Sequence, residues 1–249
     1  MAHWQIFTIV VILEFHFMWV AWSVYMHRGL CHGHFTFTPV MEHFFRFWLW
    51  FTKGGIWYNW KQHYVAIHRK HHHLSDTDKD LHSPFRFTFK QLYTDIGRKP
   101  EEANYITPEE IQYYAPDISS KFDWIETNLY VRYPKLGKLL LWITYTLIFG
   151  WLGFAWGMIR YVWGKQISTW WGHYIIHKAG FTYAGNRGAD RSKIIFPIGF
   201  IMAGEELHAN HHNDPRAYNQ RRWFEIDTGW YWCKLFMWLR LIKSTHPIS

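Results

Sequence analysis

Cysteine is scarce in this sequence. Cys31 and Cys233 are the only two among 249 residues, far apart and in no C-x-x-C pattern. That argues against a disulfide framework and against a cysteine metal site. Proline is sparse too, nine in all, and neither a low-complexity linker nor an internal repeat interrupts the chain. Acidic residues are outnumbered, 19 Asp and Glu against 27 Lys and Arg, giving a formal net charge of +8. A basic balance is one mark of nucleic-acid binding. Here, however, Lys and Arg flank apolar segments, which fits the cytoplasmic side of a membrane protein, and no nucleic-acid partner is expected. Ahead of the first apolar run there is no basic n-region and no small-residue cleavage site, so no cleavable signal peptide is expected.

Aromatic residues and histidine are what the chain has in excess: 18 Trp, 15 Tyr, 20 Phe and 18 His. The length suits one domain over 1–249. Residues 4–26 are almost wholly apolar and as a helix would run about 34 Å, enough to cross a bilayer. Glu14 and His16 interrupt that run. A carboxylate there is costly and should face protein, either as a structural ion pair or in proton or substrate handling. Residues 44–60 are apolar but broken at Lys53-Gly54-Gly55, and read as interfacial or re-entrant. The polar stretch 74–136 reads as a cap outside the membrane. Residues 133–176 fit a hairpin of two crossings, about 135–150 and 153–176, turning near Gly150–Gly153. Residues 223–243 mix Trp and Phe with Lys and Arg, as a helix lying in the interface does. The expected fold class is an all-α integral membrane protein. It has about three crossings and interfacial helices, with a cytosolic cap over 27–134 and 177–249.

The histidines are informative by their spacing. His68, His71 and His72 follow H-x-x-H-H, and His208, His211 and His212 repeat it. On a helix, positions i, i+3 and i+4 share a face. His173 and His177 are again i and i+4. His27 and His32 are five apart, which does not place them on one α-helical face and requires a fray or turn after His27. Imidazole is the commonest nitrogen ligand of zinc, copper, iron and nickel. These ten histidines are too many for one ion, and two metals are the economical count. All must lie on one side of the membrane to meet, which an even number of crossings between them allows. Asp76, Asp78, Asp80, Glu205 and Glu206 stand beside these boxes, placed to order ligand N–H groups or else to form a solvated face. Arg28 and Arg69 are expected to pair with such acids. His34, His43, His63, His73 and His82 lie near the boxes but outside the ligand pattern, and His3, His16 and His246 are read as unrelated to it. A transporter or other metal-handling membrane protein would carry polar residues along its membrane helices, and these ligands cluster at helix ends instead.

The motifs "HRGLCH" (27–32), "HRKHHHLSDTDKDLHSP" (68–84), "GEELHANHHNDP" (204–215) and "RRWFEIDTGWYW" (221–232) resemble the membrane fatty acid desaturases of the Δ9 acyl-CoA and acyl-lipid type. The likeness runs from about His27 to Leu241. It implies a histidine-bound di-iron centre that uses O2 to insert a cis double bond, at Δ9, into a saturated acyl chain, in unsaturated fatty acid biosynthesis. The implied iron ligands are His27, His32, His68, His71, His72, His177, His208, His211 and His212, while His173 stands where the family has an asparagine. Zinc can replace iron in such sites on overproduction. The substrate is a fatty acyl chain carried by CoA, a lipid or a carrier protein, and Arg86 is the clearest of the residues that would meet CoA phosphates. Thr169 and Trp170 match a tunnel-lining pair and Asn59 a head-group contact. Electrons would come from a ferredoxin, rubredoxin or cytochrome b5 with its reductase. The location is a bacterial inner membrane or equivalent endomembrane, with the metals on the cytoplasmic side. A membrane di-iron hydroxylase or decarboxylase on fatty chains is the alternative enzyme.

Overall fold

Helix α1 (His3–Ala21) has apolar residues on every side, and its two halves are used differently. Ile6, Ile9, Ile12 and Leu13 are exposed, whereas Met18 to Met26 are buried. The structure is a computed structural model that describes residues 2–54, 61–94, 105–118, 123–183 and 185–246. The helix does not fray after His27. It widens into a π-helical stretch over Trp22–Cys31. Among the described residues, His3–Cys31 is the one helix long and apolar enough to cross a membrane, by length and composition.

Helix α2 (Pro39–Lys53) starts where Thr38 accepts a hydrogen bond from the Met41 N–H at 3.3 Å, with proline at the first turn. Such a cap contributes about 1 kcal/mol. The helix stops at Gly54, whose φ of 88° suits glycine. Helix α3 (Lys61–Leu74) carries the second histidine box, and the short α4 (Phe89–Thr94) and α5 (Pro108–Tyr114) lie in the polar stretch 74–136. A π-helical stretch over Glu126–Val131 then leads to α6 (Leu136–Phe149) and α7 (Trp151–Thr169). Gly150, at φ 58°, makes the tight turn between them. Gly153 and Gly157 let the two helices touch, since a Cβ at either would overlap the Tyr145 carbonyl or the Trp142 ring. At 14 residues, α6 is about 21 Å long, shorter than a full span.

Buried ion pairing joins this hairpin to α1. Arg160 Nη2 donates to Glu14 Oε1 at 3.0 Å and to the Thr52 carbonyl at 3.1 Å. Glu14 therefore faces protein, as a structural partner. Phe7 meets the Tyr145 and Phe149 rings at 6.4 and 5.2 Å, so the hairpin tip lies level with the start of α1.

The all-α expectation needs a correction. Phe35–Phe37 (β1) pairs antiparallel with Ile242–Ser244 (β4), and Ile198–Gly199 (β2) pairs parallel with Ile226–Asp227 (β3). Phe35–Phe37 and Ile242–Ser244 each follow a helix end, where open backbone groups need partners. The fold is mostly helical with these very short strands. After α7 come a π-helical stretch over Trp170–Ile175, α8 (Ile176–Lys178), a 3-10 turn over Glu205–Leu207, α9 (His208–Asn213) and α10 (Thr228–Trp238), so the expected interfacial helix over 223–243 is shorter than the apolar run.

Candidate metal centre

The π-helical stretch explains the five-residue spacing of the first box. An i→i+5 backbone bond stacks residues five apart, and the His32 N–H donates to the His27 carbonyl at 3.1 Å. Both rings therefore leave the helix on one side. Arg69 on α3 secures this helix end, donating to the Leu30 and Cys31 carbonyls at 3.0 and 2.6 Å and to both oxygens of Asp117. Arg28 is fully buried and holds both oxygens of Asp227 at 3.0 and 2.9 Å. Asp227 in turn caps α10 by accepting from the Trp230 N–H at 3.0 Å. The two arginines thus brace box one against α3 and against α10.

Nine of the ten expected histidines converge into two groups, each with its ligand atoms within 4.8 Å of one another. The first holds His27, His32, His68, His72 and His211; the second holds His71, His177, His208 and His212. The two H-x-x-H-H boxes are reciprocal. In α3, positions i and i+4 enter the first group and i+3 the second; in α9 they do the reverse. Neighbouring helical residues diverge by about 100°, so His71 and His72 point into different groups.

His173 joins neither group. Its ring lies 4.4 Å from that of His82, a turn of helix before His177. His73 turns to Tyr114, His43 to Tyr130, and His34 faces the Pro215 carbonyl at 3.2 Å. His16 is buried and accepts a hydrogen bond from Trp232 Nε1 at 3.0 Å, tying α1 to α10.

Four imidazoles lean on carboxylates through Nδ1. His27 meets Glu205 at 2.7 Å, His71 meets Asp80 at 2.7 Å, His177 meets Asp76 at 2.9 Å and His212 meets Asp190 at 3.0 Å. Burial alone would raise Asp76, Asp80 and Glu205, but the imidazole beside each holds it below the ordinary carboxylate value. A carboxylate only accepts, so these Nδ1 atoms carry the proton and Nε2 keeps its lone pair. Asp78 is exposed, and Glu206 accepts the Met202 N–H at 2.7 Å instead of meeting an imidazole. Asp190 is the acid that sequence reading missed, since "GADRSK" carries no periodic or motif signal.

The Nε2 atoms face each other closely. His27 to His211, His211 to His72, and His32 to His68 are each 3.0 Å, and His68 to His72 is 3.1 Å. One N–H cannot serve two such neighbours, so these contacts outnumber the protons available. Burial, together with the neighbouring imidazoles, holds His32, His68, His72, His208, His211 and His212 far below the usual histidine value, hence neutral. The buried His212 Nε2 has no partner among the described residues. Converging lone pairs on neutral rings backed by carboxylates suit a divalent cation in each group. His71 differs: burial lowers it, but Asp80 raises it above the ordinary value.

A cavity opens onto both groups. His27, His68, His71, His177 and His208 line it, with Thr169, Gly172, His173, Trp19, Trp22 and Lys53. Thr169 is buried in its wall. Trp170 is not: it is 43% exposed and packs edge-on against Trp171. Asn59 lies outside the described residues.

No family model matches the chain. An acyl-CoA 5-desaturase of Anemone leveillei is 32% identical over 90% of this chain and 66% of its own length. An acyl-CoA C20 Delta5-desaturase of the same plant is 30% identical over 90% of this chain and 72% of its own length. The chain belongs to the acyl-CoA and acyl-lipid desaturase family. An sn-1 stearoyl-lipid 9-desaturase of Synechocystis is 27% identical over 88% of this chain and 64% of its own length. The chain therefore spans about two thirds of the length of these desaturases.

Proposed function

We propose that this chain is an O2-dependent fatty acyl desaturase that inserts a cis double bond into a saturated acyl chain, in unsaturated fatty acid biosynthesis. The observation that carries the reading is the pair of histidine groups opening together onto one cavity. A methylene C–H has no acidity for a side chain to exploit, so acid–base or nucleophilic groups alone do not suffice. Two iron ions held by His27, His32, His68, His72 and His211, and by His71, His177, His208 and His212, would supply the oxidising power. The protein's own work is orientation. Glu205, Asp80, Asp76 and Asp190 fix the ligand tautomers. Trp19 and Trp22 give the cavity an apolar wall, Gly172 leaves room for a chain, and Thr169 offers a hydroxyl. The balance removes two hydrogens from the chain and reduces O2 to two waters, with two electrons from a ferredoxin, rubredoxin or cytochrome b5 type carrier and two protons from solvent.

We read the chain as an integral membrane protein with three crossings, formed by α1 and the α6–α7 hairpin, and with the metals on the cytoplasmic side. The level packing of Phe149 against Phe7 supports a hairpin as deep as α1, despite the shortness of α6. The relatives' names place the double bond at carbon 5, 7 or 9, and Δ9 is the position we read for this chain. The test is expression in a host with a supplied electron carrier, followed by lipid analysis and metal assay. New double bonds with close to two irons per chain are expected. Oxygenated chains or terminal alkenes instead would replace the reading with a hydroxylase or decarboxylase. Less than about one equivalent of any transition metal after iron supplementation would end it.

A further inference from the structure

Lys53 is the last residue of α2, and its side chain turns onto α1. Nζ stands 4.4 Å from the centroid of a Trp19 ring and 4.0 Å from that of a Trp22 ring. Both indoles are buried. These three side chains share one cavity with Thr169, Gly172 and ligands of both histidine groups. Glu205 lines the same cavity and its charge reaches this ammonium, but among the described residues no carboxylate forms a close ion pair with Nζ. The two ring faces balance part of the charge, but an ammonium has three N–H donors, which rings satisfy poorly. A lysine that served only the helix end would lie over the last carbonyls of α2, in reach of water. This one is turned into the cavity that we assign to the acyl chain.

A saturated chain gives such a donor nothing to bind along its methylenes, and a chain that fills the cavity displaces the water that would otherwise solvate the ammonium. One oxygen is common to every acyl substrate, whatever carries it: the carbonyl oxygen of the ester or thioester. We propose that Lys53 binds the acyl carbonyl oxygen and so determines which carbons of the chain lie against the metal groups. The inference rests on the desaturase reading and deepens it. It makes Lys53 a specificity-determining residue. The carbonyl is fixed at one point of the cavity and the oxidised C–H bonds at another, and the methylenes between them set the position of the double bond.

The test uses purified, iron-loaded protein and two ligands, a saturated acyl-CoA thioester and the thioether in which CH2 replaces its carbonyl. Calorimetric titration should show that the unsubstituted protein binds the thioester about tenfold more tightly, as expected for a charge-assisted hydrogen bond. Lys53→Met should bind the two alike and spread the double bond over neighbouring carbons. Lys53→Arg, which keeps charge and donors, should retain the preference. Iron content near that of the unsubstituted protein shows that the cap is intact. If Lys53→Met does not accumulate, Lys53→Gln takes its place and should keep a reduced preference through its amide N–H. A preserved thioester preference in Lys53→Met, or one unshifted bond position at reduced yield, would overturn the proposal in favour of a packing role. The titration needs no turnover. Protein that discriminates between the ligands yet forms no double bond therefore sinks the desaturase reading, not the assignment of Lys53.

Discussion

Asp80 accepts a hydrogen bond from Nδ1 of His71 at 2.7 Å while it also accepts the backbone N–H groups of Asp76 and His82, each at 2.7 Å. One buried carboxylate thus shapes the loop after α3 and fixes the tautomer of an imidazole in the second histidine group. Asp80→Asn keeps the size but offers one acceptor oxygen in place of two. The expected result is a loss of about 10–100-fold in metal affinity at the second group. Iron titration of the purified variant checks this; unchanged affinity would mean that the carboxylate shapes the loop only.

His71 and His72 are neighbours in sequence but serve different groups, and that makes stoichiometry a sharp readout. His71→Ala should leave the first group's five histidines untouched and lower the metal content from two per chain towards one. His72→Ala should do the same at the first group and spare the second. Both variants should lose double-bond formation while remaining inserted in the membrane. Elemental analysis beside lipid analysis checks both. A variant with full activity refutes its ligand assignment, and loss of both metals from either one would show that the groups do not fill independently.

The histidine boxes were legible because helical periodicity converts spacing into direction: i and i+4 stack, and i+3 diverges. The same rule misled at His173, since a shared face with His177 says nothing about how far along the axis the centre lies. It also failed at His27 and His32, because their common side depends on a π-helical stretch and α-helical arithmetic assumes uniform turns. Asp190 left no trace, since its contacts with Ser75 and His212 come from distant loops. Lys53 read as a break in an apolar run, and only packing against Trp19 and Trp22 brings it into the cavity. Strands as short as Phe35–Phe37 and Ile242–Ser244 exist only because tertiary folding places them side by side.

Glu14 and Arg160 form a buried pair between α1 and α7. Removing one partner leaves the other charge buried and unpaired, a cost of about 3–5 kcal/mol. Glu14→Leu or Arg160→Met should therefore lower the thermal unfolding midpoint in detergent sharply. The double variant should recover much of the loss, because well-packed apolar residues can replace a buried ion pair. Additive losses in the double variant would show that the two residues do not act as a pair.

Acid should empty the two histidine groups in order. A ligand nitrogen must be free of its proton to bind metal, so protons and metal compete at each imidazole. In the first group, burial and neighbouring imidazoles hold His32, His68, His72 and His211 far below the ordinary histidine value. Their protons compete less readily than those of an ordinary imidazole. In the second group, Asp80 outweighs burial and lifts His71 above its ordinary value. A group with a raised value takes up its proton at higher pH as acidity increases, so competition at His71 begins first. Iron at the second group should leave at a higher pH than iron at the first, giving two separated steps in metal content as pH falls. Metal content followed by elemental analysis after equilibration across a pH series decides the matter. A single step would show that His71 does not control the second group.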